Sequence, residues 1–116
     1  METIMTDLTE KKCVPCEGGV QPLSKEKAEE LIQKLDGWKV GENNKSITKD
    51  FSFKNFYKTM AFVNAVAWIA NQDMHHPDMK IGYDYCKLEL MTHAISGLSE
   101  NDFIVAAKID NFCKSS

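Results

Sequence analysis

The chain has 116 residues, 43% hydrophobic and 27% charged, which fits one globular domain and excludes a disordered or fibrous chain. Fourteen basic against seventeen acidic residues leave a net charge of −3 with no Lys/Arg-rich stripe, so bare nucleic acid is excluded as an electrostatic partner. The longest apolar stretch, residues 60–70, is interrupted by Asn64 and falls short of the ~20 residues that span a bilayer. The first residues lack the basic start and apolar run of a secretory signal. No membrane association is therefore expected, but a cytoplasmic location with Cys13, Cys16, Cys86 and Cys113 as reduced thiols.

Residues 1–22 have no usable hydrophobic period and hold Pro15, Gly18, Gly19 and Pro22, so an irregular arm is expected ahead of a domain over residues 23–116. Ser24 can cap a first helix, in which Ala28, Leu31, Ile32 and Leu35 recur at i, i+3, i+4 and i+7 before Asp36-Gly37 ends it. Residues 38–40 read as a short strand and residues 41–44 as a turn tolerant of positive φ. Residues 47–53 form a second strand, with Ile47, Lys49, Phe51 and Phe53 alternating against Ser46, Thr48, Asp50 and Ser52. The two strands predict a hairpin.

Over residues 54–72, Phe56, Tyr57, Met60, Val63, Ala67 and Ala70 follow helical spacing, and Phe62, Val66 and Ile69 widen the stripe. A largely buried helix is expected, with Trp38 and Trp68 as core aromatics. Pro77 disfavours helical geometry at His76, so this helix must stop before the histidine pair. Residues 80–83 and 86–92 are strand candidates around a turn at Asp84. In the second of these, Cys86, Leu88 and Leu90 share one face, and Lys87, Glu89, Met91 and His93 the other. Ser99 and Asp102 form a capping-box variant ahead of a last helix through Phe103, Ala106, Ala107, Ile109 and Phe112. The order α-β-β-α-β-β-α predicts an α+β fold: a four-stranded antiparallel sheet with three helices packed on one face.

All three histidines lie in two short segments, His75-His76-Pro77 at a helix exit and His93 at the end of the last predicted strand. Imidazole titrates nearest neutrality, so two such rings flanking one pocket can give and take protons there. Neighbouring side chains point in different directions, which lets one of His75 and His76 work on a substrate while the other orients or packs.

The spacing of His75-His76-Pro77, Tyr83, His93 and Asp102 resembles the signature of the pterin-4a-carbinolamine dehydratases. Gly97-Leu98-Ser99 and Lys54-Asn55-Phe56 fit the same family, as does the arm's Cys13-Val14-Pro15-Cys16-Glu17-Gly18-Gly19, which resembles many bacterial members. The likeness runs from about Leu23 to Phe112. One departure is Asn71, where the family commonly has a charged side chain; an amide there can still hydrogen-bond a polar heterocycle.

This resemblance implies a lyase that dehydrates 4a-hydroxytetrahydropterin to quinonoid dihydropterin, recycling the cofactor of an aromatic amino acid hydroxylase, with no metal or cofactor of its own. It implies His75 and His93 as the acid–base pair, and His76 as holding the pterin with a catalytic share. The ligand would lie along the backbone of Met74 to His76, beside Pro77, and of Thr92 to Ala94. Asp102 has two readings that can hold at once: a helix-capping carboxylate and, as the resemblance implies, a pocket residue steadying His93 or the substrate. A homodimer or homotetramer is implied as well.

A rival reading is a protein-binding regulator of a hydroxylase or transcription factor without turnover; some animal members of the resembled family also bind a transcription factor and act as a coactivator, a role to which the bacterial-looking arm gives little support. Cys13 and Cys16 also invite comparison with half a zinc site or a redox pair. A structural zinc site needs two further ligands in a paired motif, and a redox motif needs the start of a helix in a βαβ unit. Neither context is evident.

Overall fold

The computed structural model describes residues 8–11, 13 and 21–115. Ser24 caps helix α1 (Lys25–Ile32), its hydroxyl accepting the Lys27 N–H, and Ala28 and Leu31 are its buried residues. The helix ends earlier than Asp36-Gly37, with turns and bends filling residues 33–37. Strand β1 (Lys39–Val40) follows, then a 3₁₀ turn (Glu42–Asn44) and strand β2 (Ile47–Ser52). Asn43 and Asn44 take positive φ in that turn, as its composition predicts.

Asn55 opens the long helix α2 (Phe56–Asp73), its side chain accepting the Lys58 N–H. Strands β3 (Asp78–Ile81) and β4 (Tyr85–Leu90) form the second hairpin, and α3 (Glu100–Ser115) closes the domain. The sheet has the order β1-β2-β4-β3, antiparallel throughout, with Lys49 opposite Leu88 and Met79 opposite Leu88 on its other side. Its α+β architecture is the expected one. In β4 the alternation is strict: Cys86, Leu88 and Leu90 are buried while Tyr85, Lys87 and Glu89 are exposed.

The core lies between that covered face and the helices, with Ile47, Phe62, Val66, Leu88, Leu98, Phe103 and Ile109 among its members. Helix α2 is less buried than its composition suggests. Its inward stripe is Thr59, Phe62, Val63, Val66, Ala70 and Asp73. Tyr57 and Trp68 lie on the opposite stripe and are 82% and 65% exposed, so Trp68 is not a core residue. Trp38 is one, and its indole donates to Asp110 at 3.0 Å. Within the N-terminal arm, residues 8–10 make a helical turn and Leu8 enters the core, while Cys16 lies outside the described residues. Among the described residues no helix is long and apolar enough to cross a membrane.

Candidate functional site

Helix α2 stops as Pro77 demands, and the stop is built in detail. Met74 adopts the left-handed conformation (φ 52°, ψ 40°). Its N–H reaches the carbonyls of Ala70 and Asn71, and the His75 N–H returns to Ala70 at 3.1 Å. This is a Schellman closure with methionine where glycine is usual. It turns the chain sharply, so His75 and His76 leave the helix axis together.

The second segment differs from its sequence expectation. Strand β4 ends at Leu90, and His93 opens a 3₁₀ turn (His93–Ile95) instead of ending a strand. The reason is local. Thr92 and Gly97 pair backbone to backbone, N–H to carbonyl in both directions, and Ser96 takes φ 53° to close the loop. Gly97 is required there, because a Cβ would stand 2.8 Å from the Pro22 side chain.

One carboxylate joins the two segments. Asp102, fully buried near the start of α3, places Oδ1 2.6 Å from His75 Nε2. Its Oδ2 accepts the Thr92 hydroxyl at 2.9 Å and the Ser99 N–H at 3.0 Å. Ser99 and Thr92 hydroxyl oxygens are 2.7 Å apart, and Ser99 Oγ accepts the Asn101 N–H. With the Thr92 proton committed to Asp102, the Ser99 hydroxyl donates to Thr92, and every polar atom of the relay is used. The capping role of Asp102 is therefore present alongside its link to an imidazole. That imidazole belongs to His75, the more distant segment, rather than to His93.

A carboxylate that accepts from Thr92 and Ser99 also accepts from His75, which puts the His75 proton on Nε2 and leaves Nδ1 for other chemistry. The His75 side chain is only 13% exposed, so its ring is held as well as oriented. His76 Nε2 lies 2.8 Å from Asn71 Oδ1, so the amide at the family's charged position contacts the second histidine. His93 and Ala94 are exposed on the 3₁₀ turn, Met74 is exposed at the left-handed corner, and Pro77 is half-buried. Tyr83 stacks on Phe56 with ring centres 6.5 Å apart, and its carbonyl accepts the Thr59 hydroxyl.

Two participants escaped the sequence reading. The Thr92 hydroxyl, as distinct from its backbone, is a partner of Asp102; a Thr two residues beyond the last inward strand residue gives no such signal alone. Asp73 is buried at the end of α2, 2.6 Å from Lys108 of α3 and 3.4 Å from the Cys13 N–H. Its trace in the sequence is a polar position, one of two with Thr59, on an otherwise apolar stripe. Among the described residues no group of three or more His, Cys, Asp or Glu side chains is placed to hold a metal ion.

A sheet covered by three helices, with a capped carboxylate bridging two histidine-bearing turns, defines the class. The profile of the family described as Pterin 4 alpha carbinolamine dehydratase matches residues 21–112. The chain belongs to that family. A protein of Nitrosomonas europaea, named provisionally as a pterin-4-alpha-carbinolamine dehydratase, is 59% identical over 114 residues, 97% of this chain and 99% of its own. A Legionella pneumophila protein with the same provisional name is 55% identical over 106 residues, 90% of this chain and 94% of its own. Among solved structures, a transcriptional coactivator/pterin dehydratase from Brucella melitensis superposes with TM-score 0.74 at 30% identity, covering 78% of this chain and 97% of its own. A pterin dehydratase-like protein described as a RuBisCO assembly factor in the α-carboxysome superposes with TM-score 0.60 at 26% identity, covering 70% of this chain and 94% of its own. The family supports pterin carbinolamine dehydratase activity.

Proposed function

We propose that the protein dehydrates 4a-hydroxytetrahydropterin to quinonoid dihydropterin and water by histidine acid–base catalysis, in tetrahydropterin recycling. The observation that carries this reading is the 2.6 Å contact between His75 Nε2 and buried Asp102, whose other oxygen holds Thr92 beside His93. In the reaction the C4a–O bond breaks as the leaving oxygen takes a proton, and N5 gives up its own proton as the double bond forms. One imidazolium and one neutral imidazole meet both needs, each transfer being worth roughly 10²–10⁴-fold. His75 and His93 are the pair, with Asp102 orienting His75. His76, steadied by Asn71, holds the pterin.

Backbone pairing with the pterin is narrower than the sequence reading has it. The N–H groups of Met74, His75 and Thr92 are already bonded within the protein. Those of His76, His93 and Ala94 are the candidate donors, with Met74 and Pro77 supplying apolar contact. The chain acts as a homodimer or homotetramer in the cytoplasm and serves an aromatic amino acid hydroxylase. The test is the ultraviolet decay of freshly made carbinolamine. Wild-type protein accelerates it, and His93→Ala loses most of that gain while keeping its circular dichroism. A fully active His93→Ala protein would exclude the mechanism.

A second reading has its own support. The Brucella relative's name includes transcriptional coactivation and the carboxysome relative is described as an assembly factor, and here Tyr57 and Trp68 lie exposed on one stripe of α2. A protein-binding role of that stripe predicts capture of a hydroxylase or transcription factor that survives loss of all three histidines and fails in Trp68→Ala. Capture abolished by the histidine changes alone would exclude it.

A further inference from the structure

We propose that Asp73 is a positioning residue for His75, and that Lys108 and the N-terminal arm at Cys13 hold it in that role. The proposal rests on the dehydratase reading only for its kinetic consequence. Its structural content stands on a second cross-link between the two elements that His75 and Asp102 join.

Asp73 is the last residue of α2, and its side chain is 2% exposed. Oδ2 meets Lys108 of α3 at 2.6 Å, and Oδ1 accepts the Cys13 N–H at 3.4 Å. His75 lies two residues beyond it, and Asp102 lies six residues before Lys108. The ion pair therefore pins the end of α2 to the helix that presents Asp102, within roughly 9 Å of axial rise. Between Asp73 and His75 stands only Met74 in the left-handed conformation, which a residue with a Cβ adopts at a cost. Strain of that kind persists where neighbouring contacts over-determine it. Because the His75 N–H is itself part of the closure, any rotation of the helix end moves the imidazole relative to Asp102.

The arm adds a third attachment to the same corner. Leu8 is buried in the core, Lys11 pairs with Glu100 at 2.6 Å, and Cys13 Sγ lies 3.6 Å from the Asn101 carbonyl. The arm thus spans from the first turn of α3 to the last residue of α2. Lys108 also lines a groove with Trp68, Gln72 and Phe112, so an uncharged side chain at 108 has apolar neighbours to lie against.

The experiment compares Asp73→Asn, Lys108→Met, Lys108→Arg and Cys13→Pro, the last removing one backbone donor, with Lys49→Met as a control that weakens a different buried ion pair. Two readouts are taken on the full-length protein: the low-field proton resonance of His75 Nε2–H, and kcat and KM for carbinolamine decay. Asp73→Asn and Lys108→Met should broaden or shift the His75 resonance and lower kcat roughly tenfold with KM within about twofold. Lys108→Arg should restore both, Cys13→Pro should give a smaller change of the same sign, and Lys49→Met should lower the melting temperature without moving the resonance. Folded Asp73→Asn and Lys108→Met proteins with a wild-type resonance would overturn the proposal; should Asp73→Asn fail to fold, Lys108→Met and Cys13→Pro decide it. A displaced resonance in a protein without any dehydratase activity would sink the dehydratase reading and leave the positioning role standing.

Discussion

Asp102 and Asp110 lie eight residues apart on α3, both almost wholly buried, yet they are neutralised in opposite ways. Asp110 meets the Lys49 ammonium at 3.0 Å, the Trp38 indole at 3.0 Å and the Asp36 N–H at 3.1 Å. Its counter-charge is the lysine ammonium. Asp102 has a hydroxyl, a backbone amide and an imidazole, with no lysine or arginine among the described partners of its two oxygens. The first arrangement ties the segment between α1 and β1, strand β2 and helix α3 together. The second ties two loops together and keeps a proton carrier in a fixed orientation. Burial alone marks neither as functional; the chemistry of the partner does.

The largest effect is expected from Asp102→Asn. It keeps the size of the side chain but offers His75 the wrong donor–acceptor pattern, and kcat/KM should fall roughly 10²–10⁴-fold in the carbinolamine decay assay. Asp110→Asn should do the reverse. Leaving Lys49 without its partner should cost roughly 3–5 kcal/mol in urea unfolding, with the specific activity of the folded fraction unchanged. A large activity loss in Asp110→Asn without loss of stability would erase the distinction.

A smaller change should come from Met74→Gly. Glycine relieves the left-handed corner, and the unfolding free energy should rise by about 1 kcal/mol. A fall in stability would mean that Met74 contributes more by packing than it loses by strain.

The smallest effect concerns pH. Burial pushes the Cys86 thiol above its ordinary range, and burial does the same at Cys113, where Lys49 opposes the rise and Asp110 adds to it. Above the unfolded thiol pKa the unfolded chain has lost protons that the native protein retains, so stability falls as pH rises through that range and is untouched below it. Denaturation midpoints should be flat from neutrality to about pH 8 and decline above it. In Cys86→Ala, whatever its absolute stability, that decline should be shallower.

How much of this was legible follows from how local each feature is. The alternation of Cys86, Leu88 and Leu90, the caps at Ser24 and Ser99, and the helix stop before Pro77 are properties of a few adjacent residues, and each could be read from them. Trp68 was misplaced because the apolar residues of α2 wrap most of its circumference, so spacing alone could not say which stripe faces the sheet. The strand expected to reach Thr92 ends at Leu90, since side-chain alternation continues past the point where Thr92 turns to pair with Gly97. His75 with Asp102, and Asp73 with Lys108, are contacts across 27 and 35 residues. No periodicity encodes them. The family resemblance placed Asp102 near the site, but only the folded chain assigns it to His75.

The most direct measurement is the absorbance decay of freshly generated 4a-hydroxytetrahydropterin, recorded with buffer, with the wild-type protein, and with a His75→Ala/His93→Ala double variant whose fold is verified by circular dichroism. The account predicts clear acceleration by the wild type and a return to the buffer rate in the double variant. A native protein that leaves the decay at the buffer rate, or a double variant as fast as the wild type, would contradict it.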